Sequence, residues 1–258
     1  MKTILVLILL VFLPGTMLAQ LPSPPSDSVL AAISERGRQL AAYDRAAWHG
    51  TDALIALSHD LREINVMLAR PQEDGAWIVH FGRLSADQDS LYQLYEAVGS
   101  QVDSSYTAQV VTPSRILPEP ELRAARALHR ALSDFGRPTR PYNSYVLSRR
   151  DGGFWVYLLP ARTDARVFPH GADVRYHVAE NGRDIIERHQ MHVSMVNTAA
   201  PSNAVSGAHT VVTEDLPQDS DVFLVLTRFP RLPEMVVTES YIYQIGTDGS
   251  ISYRPKQQ

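Results

Sequence analysis

The sequence predicts an α+β fold in which amphipathic helices pack on antiparallel sheets. Two segments with helical apolar stripes, residues 27–48 and 120–135, predict the helices. Alternating apolar segments punctuated by Asp-Gly and Asn-Gly turns, between and after those helices, predict the sheets. With 258 residues the chain has room for one large domain or two small ones. The boundary falls at residues 113–120, where Pro113, Pro118 and Pro120 cluster. It separates a helix-plus-sheet subdomain over residues 27–112 from a second helix and a mostly β segment over 113–258.

The first residues read as a signal peptide, residues 1–19. Lys2 supplies a positive start, residues 4–13 form an unbroken apolar run, and Pro14-Gly15 breaks it ahead of a cut before Gln20. Ten apolar residues rise only about 15 Å as a helix, roughly half a bilayer core, so this segment is too short to span a membrane. Residues 20–26, QLPSPPS, read as an extended tether. The expected location is therefore periplasmic or extracellular, with no membrane span left after signal removal.

The first helix is capped by Ser26 or Asp27 and buries Val29, Leu30, Ile33, Leu40, Ala41, Ala47 and Trp48 along one side. Gly50 interrupts it, with a further turn or two allowed over residues 51–57. Strands at 64–68 and 77–81 flank the turn Asp74-Gly75, and residues 91–98 and 106–111 extend the sheet, although residues 91–95 fit a helix equally well. The second helix stops at Gly136. After it only strands are expected, including 144–148, 154–159, 174–178, 185–196, 210–213, 222–227, 236–245 and 250–253. Asp151-Gly152 opens a Trp-bearing strand as Asp74-Gly75 does in the first half, a pattern compatible with tandem duplication.

Composition narrows the chemistry. The chain has 24 basic and 28 acidic residues, and loss of Lys2 with the leader leaves a net charge of −5, so nucleic acid is not an expected partner. With no cysteine there are no disulfides, thiolate metal sites or cysteine nucleophiles. Linear signatures of nucleotide-binding loops, GxSxG elbows, HExxH helices and EF-hands are missing.

Three residues stand out as candidates for chemistry: Asp44, His189 and His209. Asp44 sits inside the apolar stripe of the first helix and needs a partner, expected to be an Arg or backbone N–H groups. His189 and His192 lie three apart on an expected strand, hence on opposite faces, and are not expected to share an ion. His209 stays open as a partner for either one, with Glu187 or Glu214 as a further ligand. The balance of these readings is that no metal and no cofactor is expected. Trp48, Trp77 and Trp155, with Tyr92, Tyr95 and Tyr157, read as core aromatics or as the lining of a pocket. The expected function is an exported non-catalytic module that binds a peptide, a protein or a small envelope ligand. The alternatives are a hydrolase using an Asp/His cluster around Asp44 or His189 and His209, and a structural envelope component.

Overall fold

The computed structural model describes residues 24–257, apart from 59, 103, 165–166 and 199–202. The signal peptide and residues 20–23 of the tether lie outside the described residues. The described residues form three helices and fourteen strands in four sheets, an α+β fold dominated by antiparallel pairing.

Helix α1 (Asp27–Leu57) is capped by the Ser26 side chain, which accepts from the Val29 N–H. It runs seven residues beyond Gly50. A Cβ at that position would lie 2.8 Å from Val79 Cγ2, so this glycine permits close contact with the sheet instead of breaking the helix. Strands β1 (Val66–Pro71), β2 (Ala76–Leu84), β3 (Leu91–Ser100) and β4 (Tyr106–Ile116) form an antiparallel meander. Residues 91–95, which fitted either periodicity, are strand. Pro113 lies inside β4, and Pro118 is the N-cap of the helix that follows. Helix α2 (Glu119–Phe135) follows, and then β5 (Tyr142–Ser148), β6 (Phe154–Pro160), β7 (Phe168–Gly171), β8 (Val174–Val178) and β9 (Ile185–Gln190). Strands β5, β6, β8 and β9 make the second four-stranded sheet, while β7 pairs with β10 (Met195–Thr198). The last sheet comprises β11 (Gly207–Thr210), β12 (Glu234–Val237), β13 (Tyr241–Ile245) and β14 (Ile251–Pro255), with β11 and β12 parallel. Helix α3 (Asp219–Thr227) lies between β11 and β12 in the chain.

Strand periodicity explains how the layers pack. In β1 and β2, Ala69, Val79 and Phe81 join one core with Leu40, Tyr43 and Leu54 of α1, while Val66, Leu68 and Leu84 join another with α2. The second sheet divides the same way: Tyr145, Leu147 and Tyr157 meet the α1 core, and Val146, Val156 and Tyr176 the α2 core. Each helix thus covers part of both sheets. Edge strands β1 and β5 meet, and Arg70 Nη1 donates to Ser148 Oγ at 2.8 Å. Leu40 and Leu54 are 0% and 1% exposed, each burial worth about 1.5–3 kcal/mol. A third core joins Leu30 and Ile33 of α1 to Val222 and Val225 of α3 and to Tyr243 and Ile245 of the last sheet.

Three expectations are corrected here. Residues 222–227 are helix α3, because Gln218 and Asp221 form a reciprocal capping box ahead of them. The single strand expected over 185–196 ends at Gln190, and β10 leaves to pair with β7. Trp48, placed on the buried stripe by periodicity, is 62% exposed and stacks on His49 at 4.8 Å.

Candidate metal centre

Four segments converge at one point in the C-terminal half. Strand β7 carries His170, and the chain then reverses through Gly171 and Ala172, both at positive φ, to bring Asp173 alongside. His192 follows the end of β9. Its loop is fixed because Met191 N–H donates to Asp173 O at 3.1 Å, and Gln190 Nε2 donates to the carbonyls of Asp173 and His192 at 3.1 and 2.7 Å. Strand β11 carries His209, held parallel against β12. Asp221 comes from the first turn of α3.

The cap of α3 orients Asp221. Its Oδ2 accepts from the Gln218 N–H at 2.7 Å, which turns Oδ1 towards the histidines. The Nε2 atoms of His170, His192 and His209 lie 3.0, 3.1 and 3.2 Å from that single oxygen. All four donor atoms fall within 4.8 Å of one another. They are buried, yet none of the four makes a hydrogen bond of acceptable geometry. Buried polar atoms are rarely left so, and four at one point mark a ligand-binding centre.

The outer nitrogens of two histidines are held by carboxylates. His192 Nδ1 lies 2.9 Å from Asp173 Oδ1, and His209 Nδ1 lies 2.9 Å from Glu234 Oε1. Glu234 in turn accepts from Arg228 Nη1 at 2.6 Å. A Cβ on Gly207 would fall 1.9 Å from Glu234 Oε2, so only glycine admits this pair beside β11. A carboxylate on Nδ1 keeps the proton there and leaves the Nε2 lone pair facing inward, the arrangement that supports metal-bound imidazoles.

Charge points the same way. With neutral imidazoles, Asp173, Asp221 and Glu234 face only Arg228, which leaves two negative charges in a buried space. Burial alone would push the His192 imidazole down, but Asp173 and Asp221 outweigh it and raise it to about 10. For His209, Asp221 and Glu234 overcome the same burial and raise it to about 9. Burial would raise the Asp221 carboxyl, yet the three histidines hold it well below the ordinary range. Hence the site demands positive charge, either as protons or as a cation. Three imidazolium N–H groups cannot align on one oxygen with two lone pairs, and their rings, 4.7, 4.7 and 5.6 Å apart, would repel. A divalent cation uses all four lone pairs and cancels the charge. The residues fit such an ion. Three imidazoles and one carboxylate, without sulfur, are a donor set for zinc or a neighbouring transition metal, not for calcium or magnesium.

Of the residues singled out from sequence, His209 is in this centre and the other two are not. His189 Nε2 lies 3.2 Å from Gln218 Oε1 and 3.3 Å from Glu214 Oε1, outside the four-donor group. The spacing argument for His189 and His192 assumed one strand, whereas His192 has left the strand that carries His189. Asp44 is half-buried in an adjoining cleft and accepts from Tyr145 Oη at 2.8 Å, a neutral partner in place of the Arg or backbone N–H groups expected. His170 and Asp221 went unnoticed. The signal for Asp221 was the first-turn pattern at Gln218 to Asp221, which marks a helix start. The three tryptophans are dispersed: Trp77 packs on Tyr43, and Trp155 lies under Arg36, Arg149 and Arg175. Compared with known protein families, curated proteins and solved structures, the chain matches none.

Proposed function

We propose that the protein is an exported binding module whose C-terminal half is built around a structural zinc ion held by His170, His192, His209 and Asp221. The observation that carries the reading is the convergence of four buried donor atoms that lack hydrogen bonds. This revises the expectation from sequence that no metal is present. Four protein ligands complete a tetrahedral zinc shell, whereas catalytic zinc keeps a position for water, so the reading is non-catalytic. Its zinc would tie β7, the loop after β9, β11 and α3, segments that share little regular pairing. Export fits the donor set, since imidazole and carboxylate ligands withstand an oxidising compartment that would consume thiolates. One observation favours a metallohydrolase instead: His170 and Asp173 also line the cleft that contains Asp44.

Elemental analysis of untagged full-length protein after exhaustive dialysis tests the reading. About one zinc per chain is expected, lost in His192→Ala and His209→Ala and kept in His189→Ala. A metal-free wild type, or metal retained in both of the first two variants, overturns it. Cobalt substitution separates the two roles: a spectrum of four-coordinate cobalt that added anions do not change supports the structural one.

A further inference from the structure

The metal centre is buried, yet one side of it borders open space. His170, one of its ligands, and Asp173, which holds His192, line an inner cavity of about 110 Å³ together with Ser220. That cavity adjoins an outer groove of about 710 Å³ that reaches the exposed Trp48. Asp44, Asn143, Tyr145, Arg162 and Thr227 line both spaces and so stand at their junction. One cleft therefore leads from the surface to the wall of the metal centre.

Carboxylates mark this cleft along its length. Asp164 borders the outer groove, Asp44 the junction and Asp173 the inner cavity. Against them stands one guanidinium, that of Arg162, whose Nε donates to the Asp164 carbonyl at 3.1 Å and whose plane lies on the Phe168 ring. A cleft lined mainly by one sign of charge concentrates the opposite ion. Asp44 itself has one neutral donor, Tyr145 Oη, and no Arg, Lys or His nitrogen within ion-pair distance among the described residues. A half-buried carboxylate in that state gains from a cation. The inner cavity far exceeds the roughly 15 Å³ that one water requires, so it admits an ion with part of its water shell. Four protein ligands leave no coordination position for a substrate, and the cleft's contact with His170 and Asp173 then serves the ion itself.

We propose that this cleft is the passage by which zinc enters and leaves its centre, with Asp44 as the carboxylate that receives the cation at the junction on its way to His170. The proposal rests on the zinc reading given above. A passage residue stabilises the ion in transit and not the ion in place. Its removal slows entry and exit by the same factor and leaves affinity unchanged, whereas loss of a ligand, or of a ligand's support, changes affinity.

Cobalt serves as the probe, because its visible absorption reports occupancy. Stopped flow at constant ionic strength follows uptake by the metal-stripped full-length protein and release from the loaded protein to excess EDTA. Asp44→Asn should slow both about tenfold, the lower end of electrostatic steering, with full final occupancy. Asn143→Trp narrows the junction from an exposed position, so it keeps the fold and should also slow both. Glu214→Gln, beside His189 and outside the cleft, should leave both rates unchanged. Wild-type rates in either of the first two variants, or equal slowing in Glu214→Gln, would overturn the passage and leave the metal centre standing. Faster release from Asp44→Asn, with weaker affinity, would make Asp44 a support of the centre and overturn the passage as well. A wild type that takes up neither cobalt nor zinc overturns the metal reading itself, and the passage with it.

Discussion

Two polar clusters, one with a single histidine and one with three, differ in whether their polar atoms are satisfied. In the first sheet, His80 on β2, Gln93 and Glu96 on β3, and Gln109 and Arg115 on β4 lie on neighbouring strands. Gln93 Nε2 meets His80 Nδ1 at 2.8 Å and Glu96 Oε2 at 3.0 Å. Glu96 also accepts from Gln109 at 2.5 Å and from Arg115 at 2.7 Å, and Arg115 Nε donates to Gln93 Oε1. Donors there meet acceptors, and the network needs nothing from outside. The C-terminal cluster presents the reverse. Its outer nitrogens and carboxylates are paired, while the four inner atoms have only each other and no hydrogen bond among them. Histidine content differs, one in the first and three in the second, and so does burial, since Gln109 and Arg115 of the first are exposed while the inner atoms of the second are buried. What marks the second as a binding centre is the direction in which its lone pairs point.

This contrast can be broken most forcefully by chelation. Stripping a zinc present at a thousandfold excess over its dissociation constant should cost about 4 kcal/mol of stability. Hydrogen exchange should then accelerate in β7, β11 and the first turn of α3 while β2 and β3 keep their protection. Uniform protection across both regions after metal removal would show that the two clusters are equivalent.

A smaller effect is expected from the first cluster. Glu96→Ala removes one acceptor each from Gln93, Gln109 and Arg115 and should lower stability by about 1–3 kcal/mol, with zinc content unchanged. Arg115 is more than half exposed and can rehydrate, which keeps the loss below that of a fully buried pair. Denaturant unfolding with parallel metal analysis checks both halves of the prediction; loss of zinc would show that the clusters are coupled.

The smallest effect belongs to His80. Burial holds its imidazole below the ordinary 6.5, against the opposing pull of Glu121 and Glu96. The unfolded chain therefore takes up a proton that the folded chain refuses. His80 contributes fully above pH 6.5, and its contribution is lost as pH falls from there towards the lowered folded value. His80→Gln should remove that slope, so the difference in melting temperature between wild type and variant should shrink between about pH 7.5 and 5.5. A difference constant with pH would mean that His80 is not neutral in the fold.

Much of the scaffold was determined by local sequence. The Ser26 cap, the stripe from Leu30 to Ala47 and the Gly136 stop place α1 and α2. The Asp74-Gly75 and Asp151-Gly152 turns place the first hairpins of the first two four-stranded sheets, because periodicity and turn chemistry act over a few residues. The α+β class followed from these signals. Tertiary structure decided what they do not reach. Whether Gly50 ends a helix or fits it against Val79 depends on a strand 29 residues away in sequence. The short apolar run from Val222 to Leu226 has no length over which helix and strand periods diverge, so only the cap at Gln218 and its packing on Leu30 and Ile33 make it helical. The metal centre lay furthest from local reach. Alternation along a strand set His189 and His192 on opposite faces, but it could not show that the chain leaves that strand at Gln190. His170, His192, His209 and Asp221 come from four segments with no common period, and the folded chain alone turns their lone pairs to one point.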